Sequence, residues 1–161
     1  MLDWEKLYRM QLELDTFIEK EKDLEKESLF DKKVVALFVE LGELANETRC
    51  FKFWSDKAPS ERSIILEEYV DGVHFLLSLG LEKNLRYNLT AISAGEDLSL
   101  QFKQIYGAIH VFAQSPVQET YNALWNQYLS IGKNLGFNEQ EIIEAYIEKN
   151  EVNVIRQKQG Y

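Results

Sequence analysis

The sequence predicts an all-α protein, a helical bundle of about six helices, on three observations. Apolar residues recur at helical spacing, as in Leu7, Met10, Leu14, Phe17 and Ile18, and again in Phe102, Ile105, Tyr106, Ile109 and Phe112. Only two prolines and eight glycines occur in 161 residues, which leaves room for long uninterrupted helices. The least helical stretch, residues 82–97, is polar (Asn84, Asn88, Gly95, Asp97) and lacks the period-two alternation of strands, so it reads as mostly loop.

The elements follow in order. Asp3 is a good N-cap for the first helix, which ends in the solvated mixed-charge run Glu19–Glu27. Ser28 with Asp31 resembles a capping box for a second helix over Phe30–Thr48. Pro59 and Ser60 open a third helix, Ser60–Leu79, with Gly80 as its stop. A fourth covers Leu98–Gln114. Ser115-Pro116 supplies an N-cap and a first-turn proline for a fifth, which runs to Leu135 with Gly136 as its stop. Asn138 with Glu141 opens a sixth, carrying Ile142, Ile143, Tyr146 and Ile147 before a polar tail. The length fits one domain, residues 1–161, and no internal repeat is seen.

Charge and cysteine usage exclude several classes. A net charge of −9 argues against a nucleic-acid polymer as partner, since phosphate backbones call for basic patches. The single Cys50 excludes an intrachain disulfide and a CxxC metal site, and a reducing, cytoplasmic setting is expected. The polar N-terminus is no signal peptide, and no apolar run is long enough to span a bilayer.

The candidate chemistry lies in two acidic pairs. Glu40 and Glu43 are three residues apart on the second helix, Glu68 and Asp71 on the third, so each pair shares one helix face. Both lie in the most apolar helices, between Val34–Val39 and beyond, and between Ile64–Leu66 and Val73–Leu77. Buried carboxylates are costly unless paired or bound to metal, and an oxygen-only cage suits Mg²⁺. The plain alternative is a solvated acidic face, because 27 acidic residues generate such pairs by chance. His74, three residues after Asp71, raises a di-iron bundle, but that needs a second carboxylate-x-x-His step, and His110 has Gly107 at that place. Cys50 reads as a small buried residue, and Trp54 as core or as a base-stacking ring. Lys149, Asn153 and Arg156 share one helical stripe suited to phosphate, where the plain reading is a fraying helix end.

These residues resemble the all-α nucleoside triphosphate pyrophosphatase superfamily that includes the MazG proteins, by Glu40-x-x-Glu43 followed by Glu68-x-x-Asp71. The longer resemblance is to its dimeric all-α dUTPase branch. It rests on Glu40-Leu-Gly-Glu-Leu-Ala-Asn-Glu47, Phe51-Lys-Phe-Trp54, Glu68-Tyr-Val-Asp-Gly-Val-His-Phe-Leu-Leu-Ser78 and the tail Tyr146–Tyr161, and spans Gln11 to the last residue. The resemblance implies a homodimer that hydrolyses dUTP, and often dUDP, to dUMP. Mg²⁺ held by Glu40, Glu43, Glu68 and Asp71 would activate a water that attacks a phosphate, with Glu43 accepting its proton. Lys149, Asn153 and Arg156 would grip phosphates, while Phe75 and Tyr161 pack on the deoxyribose. Gln11 and Trp54 would frame the uracil, and Asp15, Lys52, His74 and Asn150 complete the expected substrate-binding set. The family often carries an asparagine three residues after the glutamine, where this chain has Leu14. Two rivals stand beside this reading: a related pyrophosphatase for dCTP or a modified nucleotide, and a non-enzymatic helical interaction protein with structural carboxylates.

Overall fold

The computed structural model describes residues 3–88, 90–95 and 97–161. Six α-helices and no strand occur among them: α1 Trp4–Glu21, α2 Phe30–Thr48, α3 Arg62–Glu82, α4 Leu98–Gln114, α5 Gln118–Asn134 and α6 Glu139–Lys158. The expected all-α bundle is therefore the fold.

Helix α3 is the centre. Tyr69, Val70, Val73, Leu76, Leu77 and Leu79 are all buried, because α1, α2, α5 and α6 each pack against it. An almost continuously apolar helix can only be stable in such a place. Helices α2 and α3 form an antiparallel hairpin, since the start of α2 meets the end of α3 where Leu29 N–H donates to Glu82 Oε1 (3.2 Å). At the other end, Ser60 N–H donates to the Glu47 carbonyl (3.0 Å). Helices α4 and α5 pair likewise, with Asn134 near the end of α5 donating to Gln101 near the start of α4 (2.6 Å).

Buried tyrosines lock α5 to α3. Tyr128 Oη donates to the Tyr69 carbonyl (2.6 Å) and Tyr69 Oη to the Tyr128 carbonyl (3.2 Å), with the rings stacked at 4.7 Å. Tyr121 Oη donates to the Leu76 carbonyl (2.8 Å). Each buried ring contributes roughly 1.5–3 kcal/mol of apolar burial, and its hydroxyl stays satisfied. The approach requires glycine: a Cβ on Gly72 would lie 1.9 Å from Tyr128 Oη, and one on Gly80 2.1 Å from Tyr121 Oη.

Several expected boundaries move, for physical reasons. Gly80 does not stop α3, which continues to Glu82, because this glycine makes room for Tyr121 rather than for a left-handed turn. Helix α3 opens at Arg62 rather than Ser60, whose side chain hydrogen-bonds Glu47 instead. Ser28 and Asp31 form no capping box: Leu29 holds the N-cap position with no side-chain bond, and Glu82 serves that end of α2. Helix α5 begins at Gln118 after Val117, leaving Pro116 outside, with the Val117 N–H taken by Thr120 Oγ1 (3.2 Å). Other signals hold. Asp3 caps α1 through Lys6 N–H (3.1 Å), Gly136 takes a left-handed turn (φ 82°), and Asn138 and Glu141 cap α6 reciprocally. No helix is long and apolar enough to cross a membrane among the described residues.

Candidate active site

Helices α1, α3 and α6, with contributions from α2, enclose a cavity of about 340 Å³. One end is acidic. Side-chain oxygens of Glu40 (α2), Glu68 and Asp71 (α3) lie within 4.8 Å of one another. The hairpin brings them together because Glu40, Glu68 and Asp71 lie on the faces that α2 and α3 turn toward one another. Glu43, exposed at the rim, hydrogen-bonds Glu40.

The electrostatics show strain. Burial, the hydrogen bond that protonated Glu40 donates to Glu43, and the charges of Asp71, Glu43 and Glu68 push the Glu40 carboxyl up to about 8. Burial, then Asp71, Glu43 and Glu67, push Glu68 up to about 7. Burial also raises Asp71, partly offset by Lys149. Lys149 Nζ sits 3.0 Å from Glu67 and 3.2 Å from Asp71. Burial alone would lower its pKa, but those two carboxylates outweigh burial and raise it. Glu40 Oε2 and Glu68 Oε2 are buried with no hydrogen-bond partner. Orphaned, mutually repelling carboxylate oxygens are a donor set for a hard cation such as Mg²⁺, so the residues fit that metal.

The other part of the cavity is a polar network centred on one amide. Gln11, 3% exposed, is its hub. Its Nε2 donates to Asp15 (2.9 Å), which fixes the amide, so its Oε1 accepts from His74 Nδ1 (2.7 Å) and Tyr146 Oη (2.9 Å). His74 is therefore the tautomer protonated at Nδ1, stacked on Tyr146 at 4.2 Å. Burial, and then Lys149, push His74 down to about 3, so it is neutral. Its Nε2 is buried and unpartnered. Asp15 also accepts from Ser78 Oγ (2.7 Å); burial raises its pKa, with Lys33, Ser78 and Gln11 offsetting.

The tail does not fray. Helix α6 continues to Lys158 and presents Lys149, Asn153 and Arg156 to the cavity. Gly160 (φ 77°) turns the chain so that Tyr161 N–H donates to the Arg156 carbonyl (3.0 Å), placing the Tyr161 ring 5.2 Å from the Arg156 guanidinium. Phe75 and Tyr161 also line the cavity.

Three expected residues lie elsewhere. Trp54 is 65% exposed, neither core nor cavity wall, in an aromatic cluster with Phe51 and Phe53. The loop after α2 carries it and Lys52 away from the cavity of their own chain. Asn150 is buried behind the site against Tyr146 rather than lining the cavity. Conversely, sequence reasoning missed Tyr146, Ser78 and Lys33 as site groups. Ser78 follows His74 by four residues and Tyr146 precedes Lys149 by three, so helical spacing carried a signal for both. Nothing in the spacing marked Lys33.

An all-α bundle with a cluster of carboxylates at one end of a cavity suits a metal-dependent enzyme acting on phosphates. A family model described as dUTPase matches residues 3–161, and the chain belongs to the all-α dUTPase family, whose activity is the hydrolysis of dUTP as a dUTP diphosphatase. No curated protein matches the chain. Membership sets aside the non-enzymatic reading.

Proposed function

We propose that this chain is a Mg²⁺-dependent dUTP diphosphatase that also accepts dUDP, acts as a single-domain homodimer and works in the cytoplasm. The observation that carries the metal assignment is the pair of orphaned oxygens, Glu40 Oε2 and Glu68 Oε2, in a cluster with Asp71. Glu40, Glu43, Glu68 and Asp71 would hold the metal. When bound, Mg²⁺ neutralises phosphate charge and lowers the pKa of a coordinated water.

The chain's own residues supply the rest. Lys149, Asn153 and Arg156 bind phosphate oxygens at the acidic end, where Lys149 exchanges Asp71 for substrate. Glu43, exposed beside Glu40, accepts the proton of the attacking water. His74 Nε2, an acceptor in this tautomer, takes a hydrogen bond from a sugar hydroxyl, and Phe75 and Tyr161 pack on the deoxyribose. Gln11 and Asp15 face the base.

The homodimer is supported by apolar side chains left exposed on α2, α4 and the loop between α2 and α3: Val35, Val39, Leu100, Phe53 and Trp54. They adjoin a groove of about 400 Å³ lined by Gly42, Ala45, Cys50, Phe51, Phe102 and Tyr106. Lys52 and Trp54 would act on nucleotide only across that interface.

Pyrophosphate release from dUTP, with and without EDTA, tests the reading together with Glu43→Gln. Activity should vanish in EDTA and return with Mg²⁺, and the variant should lose about 10²-fold or more in kcat, with an unchanged circular dichroism spectrum. Near-normal turnover of the variant would remove Glu43 from the machinery.

A further inference from the structure

The cavity holds few groups able to accept a hydrogen bond from a base. Gln11 Oε1 is saturated by His74 and Tyr146, so it cannot take an N–H from a ligand. Ser78 donates its proton to Asp15 and, 2% exposed, offers a ligand only a buried, neutral oxygen, while His74 Nε2 is the acceptor assigned above to the sugar hydroxyl. Asp15 is different: each of its oxygens accepts one bond, from Gln11 and from Ser78, and each keeps a second lone pair. The two donors hold the carboxylate in one orientation at the cavity wall.

Its place in the cavity suits a base. Asp71, His74 and Ser78 succeed one another along one face of α3. Ser78, which touches Asp15, lies two helical turns from Asp71, about 10 Å along the axis. That separation is comparable to the reach of a nucleotide from its phosphates to its base. An anion at the phosphate end of a substrate would repel it; an anion at the base end meets an N–H.

We propose that Asp15 is the residue that selects uracil over cytosine, its fixed carboxylate accepting the N3–H of the base. This rests on the cavity being the dUTP site. Uracil carries a hydrogen at N3, whereas cytosine presents a lone pair there, which faces the carboxylate as like against like. Gln11 is then a positioning residue, aiming Asp15 while tied to His74 and Tyr146. The arrangement gives this chain an acidic reader of the base one residue beyond the apolar Leu14.

The experiment is the ratio of kcat/KM for dUTP and dCTP in the full-length chain, in Mg²⁺, for wild type, Asp15→Asn and Ser78→Ala. An amide at position 15 can donate to cytosine N3. Asp15→Asn should lower kcat/KM for dUTP about 100-fold and narrow the dUTP/dCTP ratio about 1000-fold. Ser78→Ala, which only loosens the carboxylate, should raise KM for dUTP several-fold more than it lowers kcat. A thermal melt of each variant reports folding. A purely structural Asp15 would change stability and both substrates together, so an unchanged ratio in a folded Asp15→Asn protein overturns the proposal. Should that variant fail to fold, a wild-type KM in Ser78→Ala overturns it. A wild-type chain that does not hydrolyse dUTP overturns the underlying reading instead, so the two failures are distinguishable.

Discussion

Raising the pH of the metal-free protein should destabilise it, and Glu40→Gln should remove most of that loss. Glu40 is pushed from 4.5 to about 8 and Glu68 to about 7 in the fold. A carboxyl raised in the folded state holds its proton more tightly there than in the unfolded chain. Its contribution is fully present below the unfolded value and is lost as pH rises through the folded value. The window is therefore about pH 4.5 to 8. His74, pushed down to about 3, acts oppositely: the unfolded chain takes up a proton below about 6.5, so stability falls there as pH drops. The carboxylate effect is thus isolated between about pH 6.5 and 8.5. Converted without screening, the Glu40 shift would be worth about 5 kcal/mol. The site is open to water on one side, and solvent screening reduces this to about 1–2 kcal/mol over the whole window; roughly two fifths of that falls between pH 6.5 and 8.5, or about 1–4 °C in Tm for a chain of this length.

The assay is a series of thermal melts in EDTA from pH 6.5 to 8.5, repeated with Glu40→Gln and with millimolar Mg²⁺. Wild-type Tm should fall by about 1–4 °C across the range, the variant should stay nearly flat and exceed wild type at pH 8.5, and Mg²⁺ should raise wild-type Tm most at the alkaline end. A flat wild-type profile, or a variant less stable than wild type at pH 8.5, would refute the claim that the fold holds these carboxylates together against their repulsion.

Two further outcomes test the framework. Gly72→Ala places a methyl against the Tyr128 hydroxyl and should cost about 1–3 kcal/mol, read as a lower midpoint in urea denaturation with circular dichroism detection. Removing Gly160 and Tyr161 touches no buried residue, so Tm should stay within about 1 °C while KM for dUTP rises several-fold; an unchanged KM would show that the terminal ring does not pack on the nucleotide.

The fold and the acidic end were legible in the sequence because both follow from helical spacing. Apolar recurrence gave six helices, and three of the four paired carboxylates, Glu40, Glu68 and Asp71, cluster between adjacent helices, with Glu43 exposed beside them. What spacing cannot show is which distant surfaces approach closely. Gly80 looked like a helix stop because its space-making role depends on Tyr121, in another helix. Trp54 read as core or as a base-stacking ring, yet the loop that carries it leaves the ring exposed and away from the cavity of its own chain. Lys149 stood out on a helical stripe with Asn153 and Arg156, but nothing in the spacing showed that Glu67 and Asp71, more than seventy residues earlier, hold it.

The two ends of the cavity are built on opposite principles, and under the proposed function this division lets one site be both selective and reactive. At the base end, Gln11 links Asp15, His74 and Tyr146 from three helices through satisfied bonds, so that end is rigid before substrate arrives. Rigid, desolvated polar groups discriminate well because a mismatched partner leaves one of them unpaired. At the acidic end, Glu40, Glu68 and Asp71 repel one another and two of their oxygens have no partner. The packing of α2 against α3, pinned at its two ends by Leu29–Glu82 and Ser60–Glu47, keeps them close. That end is short of positive charge, and Lys149 supplies part of it by resting between Glu67 and Asp71. A cation arriving there with the phosphates relieves repulsion already present in the fold and frees Lys149 for the substrate. The attraction is therefore greatest for a ligand that brings both cation and anion at once, as a metal-complexed nucleoside triphosphate does.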